Sequence, residues 1–440
     1  MKRVSLLIVA LAALSPMPAL AARCAGPVCN MERLSSVFAK LATARRGRGP
    51  AVHILQIGDS HTAGDAVTGA WRDLLQARYG AGGRGVLAPG KPYDGYITRG
   101  VTATMSTGWT IGATFGKNAA APRPMLGVSG FSMVSNRPNA TMTLRSDSSV
   151  TMFDRFVLCA IAGPDAGNVT VSFDGGEPRQ LDFTAPDVRP MCRSVTTETP
   201  HASVGIDAES PGLTLTSWAT FRGGNGGVVL SNVGVVGSQL QHFARTDDIV
   251  ISEEMNAYTP DMIVLAFGTN EGFSPKFDAI AYETTLRSQI ARLQHLSGGV
   301  PILLLGAPDA LTRNAALRGN APGLPLECEA APAFLAAPTV PSDAMIQPLP
   351  GNANAAPKGP LFAPPALADV RRIQRQVAGD MGLAYWDWQS RMGGPCTAQN
   401  WVQRPVPLMR GDYVHFKSGG GQEIARLLQA DLDAAMASAR

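Results

Sequence analysis

Apolar positions recur along this chain with two different periods, and the change between them divides it. Val52-His53-Ile54-Leu55-Gln56-Ile57 is a short apolar run ended by Gly58. After it, Ala66, Val67, Ala70, Leu74 and Leu75 follow at helical spacing, the period that places side chains on one face of a helix. Strand, tight turn and helix are predicted. The alternation returns late, with a strand over Met262 to Phe267, a helical stripe of Ile280, Leu286, Ile290 and Leu293, and an apolar run from Ile302 to Leu305. Leu367, Val370, Ile373, Val377 and Met381 mark another stripe, and Leu383 to Trp386 another strand in which Trp386 and Trp388 alternate. A last helix is expected to begin after Gly419-Gly420-Gly421, packing Ile424, Leu427, Leu428 and Leu432 on the sheet. Strands separated by helices imply a parallel sheet covered on both faces.

Between about residues 95 and 227 the period falls to two. Val169, Val171 and Phe173 alternate with polar residues, and Asp174-Gly175-Gly176 supplies a hairpin turn. Val150 to Ile161 and Leu213 to Trp218 share the strand character. An antiparallel β-sandwich or jelly roll, residues 96–227, is therefore expected as an insert between the two parts of an α/β domain, 22–95 and 228–440. From Gly319 to Ala366 the composition shifts to Pro, Ala, Gly and Asn with little periodicity. This long loop, 319–366, is either a surface excursion tied down by Cys328 or a wall over a functional site.

Composition adds compartment and excludes some partners. A length of 440 residues suggests two domains, and 45% hydrophobic with 16% charged residues suits a globular protein with ordered loops. The formal charge of +4 is scattered rather than gathered into runs, which argues against a nucleic-acid partner. Met1-Lys2-Arg3, an apolar stretch from Val4 to Leu14 and the small-x-small Ala19-Leu20-Ala21 read as a cleaved signal peptide, residues 1–21. The apolar run is shorter than the roughly 20 residues that span a bilayer, and Pro16 and Pro18 interrupt it. The expectation is a periplasmic or secreted protein, not an integral membrane one, and Arg23 before Cys24 argues against a lipid anchor. Six cysteines fit an oxidising compartment. Their pairing is open, with proximity favouring Cys24–Cys29, Cys159–Cys192 and Cys328–Cys396. No Cys-x-x-Cys or clustered Cys/His spacing supports zinc.

Four short segments carry candidate chemistry. Gly58-Asp59-Ser60 follows a strand and precedes a helix, which would stand the serine hydroxyl at the C-terminal edge of a parallel sheet, where ligands bind in such folds. The helix N-terminus is expected to favour negative charge developing beside Ser60. The simpler alternative is that Asp59 or Ser60 is a helix cap. Of six histidines, His415 alone has a carboxylate three residues earlier in turn-like sequence. In Asp412-Tyr413-Val414-His415 that spacing lets Asp412 accept the imidazole Nδ1–H and leaves Nε2 for a serine proton. For an oxyanion, Gly237 can offer a backbone N–H and Asn270, in Gly268-Thr269-Asn270-Glu271, a side-chain amide. Taken singly, Gly and Asn after a strand are ordinary turn residues.

In the order Gly58-Asp59-Ser60, Gly237, Gly268-x-Asn270 and Asp412-x-x-His415, these segments resemble the SGNH/GDSL hydrolase family. Trp386-Asp387-Trp388, Met392-Gly393-Gly394 and Leu408-Met409 look like segments of its bacterial peptidoglycan O-acetylesterases. The likeness covers roughly residues 50–95 and 228–435. The Pro/Ala-rich loop departs from the pattern. The resemblance implies a three-layer α/β/α, flavodoxin-like domain with a jelly-roll insert and a serine esterase that forms an acyl-enzyme on Ser60. Asp412 and His415 would complete the triad, and the N–H groups of Ser60 and Gly237 with the Asn270 amide would hold the oxyanion. No metal or cofactor is implied. The implied substrate is O-acetylated cell-wall or exopolysaccharide carbohydrate, peptidoglycan first. A carbohydrate O-acetyltransferase, a lipase or thioesterase of the same family, and a non-catalytic carbohydrate-binding protein stay open.

Overall fold

A computed structural model describes residues 24–119, 124–224, 226–319, 326–328 and 359–438. The expected signal peptide and most of the loop 319–366 lie outside these residues. A seven-stranded sheet holds β1 (Cys24–Ala25), β2 (Val28–Cys29), β3 (Val52–Gly58), β4 (Val228–Gly234), β5 (Met262–Ala266), β6 (Ile302–Leu305) and β7 (Ala384–Trp386). Their spatial order is β1-β2-β7-β6-β5-β3-β4, parallel from β7 to β4, with the short antiparallel pair β1 and β2 on one edge. All seven residues of β3 are buried, as a central parallel strand covered on both faces requires.

The helices α1 (Ser35–Ala44), α2 (Ala66–Tyr79), α3 (Asp248–Tyr258), α4 (Ala279–Leu296), α5 (Pro365–Asp380) and α6 (Ser418–Ser438) cover the two faces. Val52 and Ile54 point to a cluster holding Leu41 of α1, Trp71 and Leu75 of α2 and Leu428 of α6. Leu55 and Ile57 point the other way, to Ile251 of α3, Leu286 and Ile290 of α4 and Val370 and Val377 of α5. The period-two alternation of a strand thus feeds two separate cores. At about 25 cal/mol per Å² of apolar area, burial on both sides is the main favourable term for this layer arrangement.

Several details differ from the periodicity. Leu74 and Ile280 sit on helical stripes, yet they are 39% and 80% exposed. Met381 falls just past α5 as its cap. Gly419-Gly420-Gly421 does not precede the last helix but lies in its first turn, since α6 begins at Ser418. The reason is contact: a Cβ on Gly420 would meet the Leu408 carbonyl at 2.0 Å, and one on Gly421 the Ala66 carbonyl at 2.2 Å. Close packing outweighs the roughly 1 kcal/mol that each helical glycine costs relative to alanine.

The middle of the chain forms two antiparallel sheets. One runs in the order Arg179–Asp182, Asn168–Phe173, Ser203–Ala208, Ala140–Ser146, Val101–Met105. The other runs Arg189–His201, Phe153–Ala162, Thr214–Phe221, Phe131–Ser135, Trp109–Ala113, with Gly85–Leu87 also paired to Thr214–Phe221. Met142, Leu144, Val169 and Val171 of the first share one hydrophobic cluster with Phe156, Leu158, Leu215 and Trp218 of the second. Asp174-Gly175-Gly176 lies in the turn that sets Val171 opposite Arg179. Glu254 of α3, fully buried, fastens this region to the α/β part: it accepts the Val128 N–H at 2.6 Å and the Thr216 hydroxyl at 2.7 Å. The cysteines pair as proximity suggested, Cys24–Cys29, Cys159–Cys192 and Cys328–Cys396. Among the described residues no helix is long and apolar enough to cross a membrane.

Candidate active site

Ser60 stands where β3 ends. A Cβ on Gly58 would lie 2.3 Å from Thr62 Oγ1 and 2.4 Å from the Ala266 carbonyl, so only glycine lets the chain turn this tightly against β5. Asp59 caps the next turn by accepting the His61 N–H at 2.9 Å. That turn, Ser60–Ala63, is a single helical turn, and Asp65 with φ of 50° resets the chain before α2 starts at Ala66. The expected helix dipole at Ser60 is accordingly reduced: one turn aligns too few peptide groups to sum to a macrodipole, and the long helix starts six residues later.

The C-terminal loop brings the base. His415 Nε2 lies 3.0 Å from Ser60 Oγ, and His415 Nδ1 lies 2.8 Å from Asp412 Oδ2. Asp412 Oδ1 accepts the backbone N–H groups of Val414 and His415, each at 3.0 Å. Arg410 N–H donates to the His415 carbonyl at 2.8 Å, which closes the loop from the other side. Burial works to raise the Asp412 carboxyl, and the hydrogen bonds and charge of His415 outweigh it, holding Asp412 below the usual carboxylate range. With Nδ1–H committed to Asp412, the Nε2 lone pair accepts the Ser60 hydroxyl proton. Ser60 and His415 are 3% and 5% exposed, so these bonds sit largely out of water, where they are electrostatically stronger.

Of the expected oxyanion donors, Asn270 and the Gly237 turn are brought together. Asn270, in the one-turn helix Thr269–Gly272 after β5, donates from Nδ2 to the Ser238 carbonyl at 2.9 Å and to Asp59 Oδ2 at 3.4 Å. Gly237 has φ of 76°, and a Cβ there would meet the Phe115 ring at 3.0 Å. The Val235 N–H bonds the Gly58 carbonyl at 3.1 Å, so the Gly237 turn leaves β4 beside the end of β3. Neither the Ser60 nor the Gly237 backbone N–H has an acceptor among the described residues. Among those residues there is also no cluster of three or more His, Cys, Asp and Glu placed to hold a metal ion.

Sequence reasoning left two residues of this site without a role. His61 is buried, with Nδ1 at 3.3 Å from Asp59 Oδ1 and Nε2 at 3.0 Å from the Val414 carbonyl. Its ring stacks on His415 with centroids 5.5 Å apart and packs against Trp388 and Phe416. Its place directly after Ser60 was the one signal. Glu271 accepts the Leu240 N–H at 2.7 Å, and burial pushes its carboxyl up to about 7. Trp386 ends β7, whereas Trp388 opens the helix Trp388–Met392; both are core residues, so the expected strand alternation stops at Trp386.

Comparison with solved structures places this geometry among known folds. The chain superposes on a peptidoglycan O-acetylesterase with a TM-score of 0.71, 22% identity, and coverage of 94% of this chain and 100% of that one. In fold, the two are alike. An acetyl xylan esterase, AlAXEase, aligns with a TM-score of 0.30 and 16% identity, over 46% of this chain and 81% of its own. No protein-family model and no curated protein matches the sequence.

Proposed function

We propose that the protein is an exported serine esterase that removes O-acetyl groups from cell-wall or exopolysaccharide carbohydrate, peptidoglycan first among them. The observation that carries the reading is the continuous chain of bonds Ser60–His415–Asp412, 3.0 and 2.8 Å long, at the carboxyl edge of a parallel sheet. In this reading His415 Nε2 takes the Ser60 proton as Oγ attacks the acyl carbonyl carbon. The tetrahedral oxyanion is held by the N–H groups of Ser60 and Gly237 and by the Asn270 Nδ2–H that gives up its 3.4 Å contact with Asp59 Oδ2, donors worth about 3 kcal/mol apiece in such sites. Collapse breaks the ester bond, and His415 gives its proton to the leaving sugar oxygen, which departs as a hydroxyl. Water then attacks the acetyl-enzyme by the same route and releases acetate.

The substrate class draws on the likeness in fold to a peptidoglycan O-acetylesterase. Export draws on the signal-like residues 1–21 and on three disulfides, which suit a periplasmic or secreted protein. The β-rich region, about residues 96–227, is read as a jelly-roll insert between the two hydrolase parts, 22–95 and 228–440. The test compares wild type and Ser60→Ala on p-nitrophenyl acetate, then measures acetate release from O-acetylated peptidoglycan against other acetylated polysaccharides. Loss of turnover on the order of 10⁶-fold in the variant is expected. Equal background turnover by both proteins refutes the enzyme, and faster cleavage of long-chain esters than of acetate refutes the acetylesterase.

A further inference from the structure

The imidazole of His61 faces two acceptors at once. Its Nε2 lies 3.0 Å from the Val414 carbonyl oxygen, which can only accept, and its Nδ1 lies 3.3 Å from Asp59 Oδ1. Asp59 Oδ1 also takes the His61 backbone N–H at 2.9 Å, and Oδ2 takes Asn270 Nδ2–H at 3.4 Å. Both Asp59 oxygens thus accept from an N–H donor other than the His61 ring. Neutral imidazole has one N–H and one lone pair, so in either tautomer one ring nitrogen would set its lone pair against an oxygen. The residue is 6% exposed, and such a mismatch is costly there. The Thr269 hydroxyl, 3.5 Å from Nδ1, is too distant to be a good donor to a neutral ring, so the imidazolium, with both nitrogens donating, best satisfies both oxygens. Burial opposes this charge, yet the Asp59 side chain and the Val414 carbonyl outweigh it and hold His61 above the ordinary histidine value.

His61 directly follows Ser60, and Val414 directly precedes His415. The link therefore joins the turn of the nucleophile to the turn of the base, while the other Asp59 oxygen reaches Asn270. We propose that His61 is a positioning residue: as a charged bridge from Asp59 to the Val414 carbonyl, it keeps Ser60 Oγ and His415 Nε2 at bonding distance. The proposal rests on the reading of Ser60 and His415 as nucleophile and base. The titratable groups facing His61 are Asp59 from its own turn and Asp412 and His415 from the C-terminal loop, while Thr269, Trp388 and Phe416 bring no charge.

Two variants of the full chain separate this role from packing. His61→Phe keeps a ring against Trp388 and Phe416 and makes neither bond; His61→Gln keeps an amide donor for Val414 without the charge. Expected is a fall in kcat of about 100-fold for His61→Phe with KM changed less than about twofold, and recovery to within about tenfold of wild type for His61→Gln. A loss confined to melting temperature, with kcat unmoved, overturns the proposal. A second readout needs no turnover: ¹⁵N-histidine-labelled protein should show two protonated ring nitrogens for His61 at neutral pH, signals that His61→Gln removes. A singly protonated His61 ring refutes the bridge even in an active enzyme. Absence of Ser60-dependent turnover in wild type refutes the esterase instead, and the ring signals then judge the bridge by themselves.

Discussion

Replacing Asp412 by asparagine tests His415 as the base through the position of a single proton. Asp412 meets its neighbours with separate oxygens: Oδ1 takes the Val414 and His415 N–H groups at 3.0 Å, and Oδ2 takes His415 Nδ1–H at 2.8 Å. An asparagine of the same shape keeps the first pair only by leaving its carbonyl at Oδ1. Its NH₂ then faces Nδ1. Flipping the amide would set that NH₂ against two backbone donors, at about 1–3 kcal/mol for each bond lost, so the unflipped form wins. The ring answers by moving its proton to Nε2, the nitrogen 3.0 Å from Ser60 Oγ, where it can no longer accept. Wrong-tautomer variants of serine triads lose on the order of 10⁴-fold in kcat, or about 5.5 kcal/mol of activation free energy. Asp412→Ala, which leaves the tautomer free, should lose no more than this. The assay is initial rates on p-nitrophenyl acetate from pH 6 to 9 beside thermal melting. A folded Asp412→Asn protein within tenfold of wild type would refute His415 as the base.

Three further expectations follow from the same contacts. On the reading that Nδ2 turns from its long contact with Asp59 Oδ2 to the oxyanion, Asn270→Ala should cost about 10² to 10³-fold in kcat with little change in KM; a loss residing in KM would show a binding role instead. Glu271 titrates near 7 when folded and near 4.3 when unfolded, so the folded state holds its proton more tightly, and this stabilisation is present at low pH and lost as pH rises through 7. Wild type should therefore lose on the order of 3 kcal/mol across that window relative to Glu271→Gln, read from urea melts at pH 5 and pH 8; an unchanged difference between the two proteins would contradict it. Cys159 and Cys192 close a span of 33 residues, so the double alanine variant should lose about 3–4 kcal/mol in urea melts, and a loss below about 1 kcal/mol would show that the antiparallel pairing alone holds these strands.

How much could be read from the chain depended on how local the determining contact was. β3 and α5 were visible because burial itself imposes the period: Leu367, Val370, Ile373 and Val377 are each 1% exposed or less. The Asp412–His415 pair was visible because three residues suffice to close it. The three glycines of α6 read as a break because glycine is a poor helix former; what makes them helical is a carbonyl of Leu408 and one of Ala66, the latter far away in sequence. His61 is the sharpest case. Its partner Val414 lies 353 positions along the chain, and nothing in the Gly-Asp-Ser-His segment indicates that the histidine faces a backbone carbonyl rather than a substrate.

The nucleophile's position also depends on charges that no motif displays. Asp65, just beyond the Ser60 turn, is 0% exposed and receives Arg72 at 3.0 Å and Arg84 at 3.2 Å. Both guanidinium groups also donate to Asn232 Oδ1, at 2.8 and 2.7 Å, and Asn232 Nδ2 donates to the Thr62 carbonyl at 2.9 Å. A network of this kind gives little net stability over an apolar core, but losing one member strands the others at about 3–5 kcal/mol. Its members come from α2, from β4, from the turn of Ser60 and, through Arg84, from the segment entering the antiparallel strand Gly85–Leu87. The place where the chain departs into the β-rich region is therefore tied to the turn that carries Ser60. On this wiring, cutting out the β-rich region would not leave a smaller working esterase, because the cut ends beside the charges that hold the nucleophile's turn.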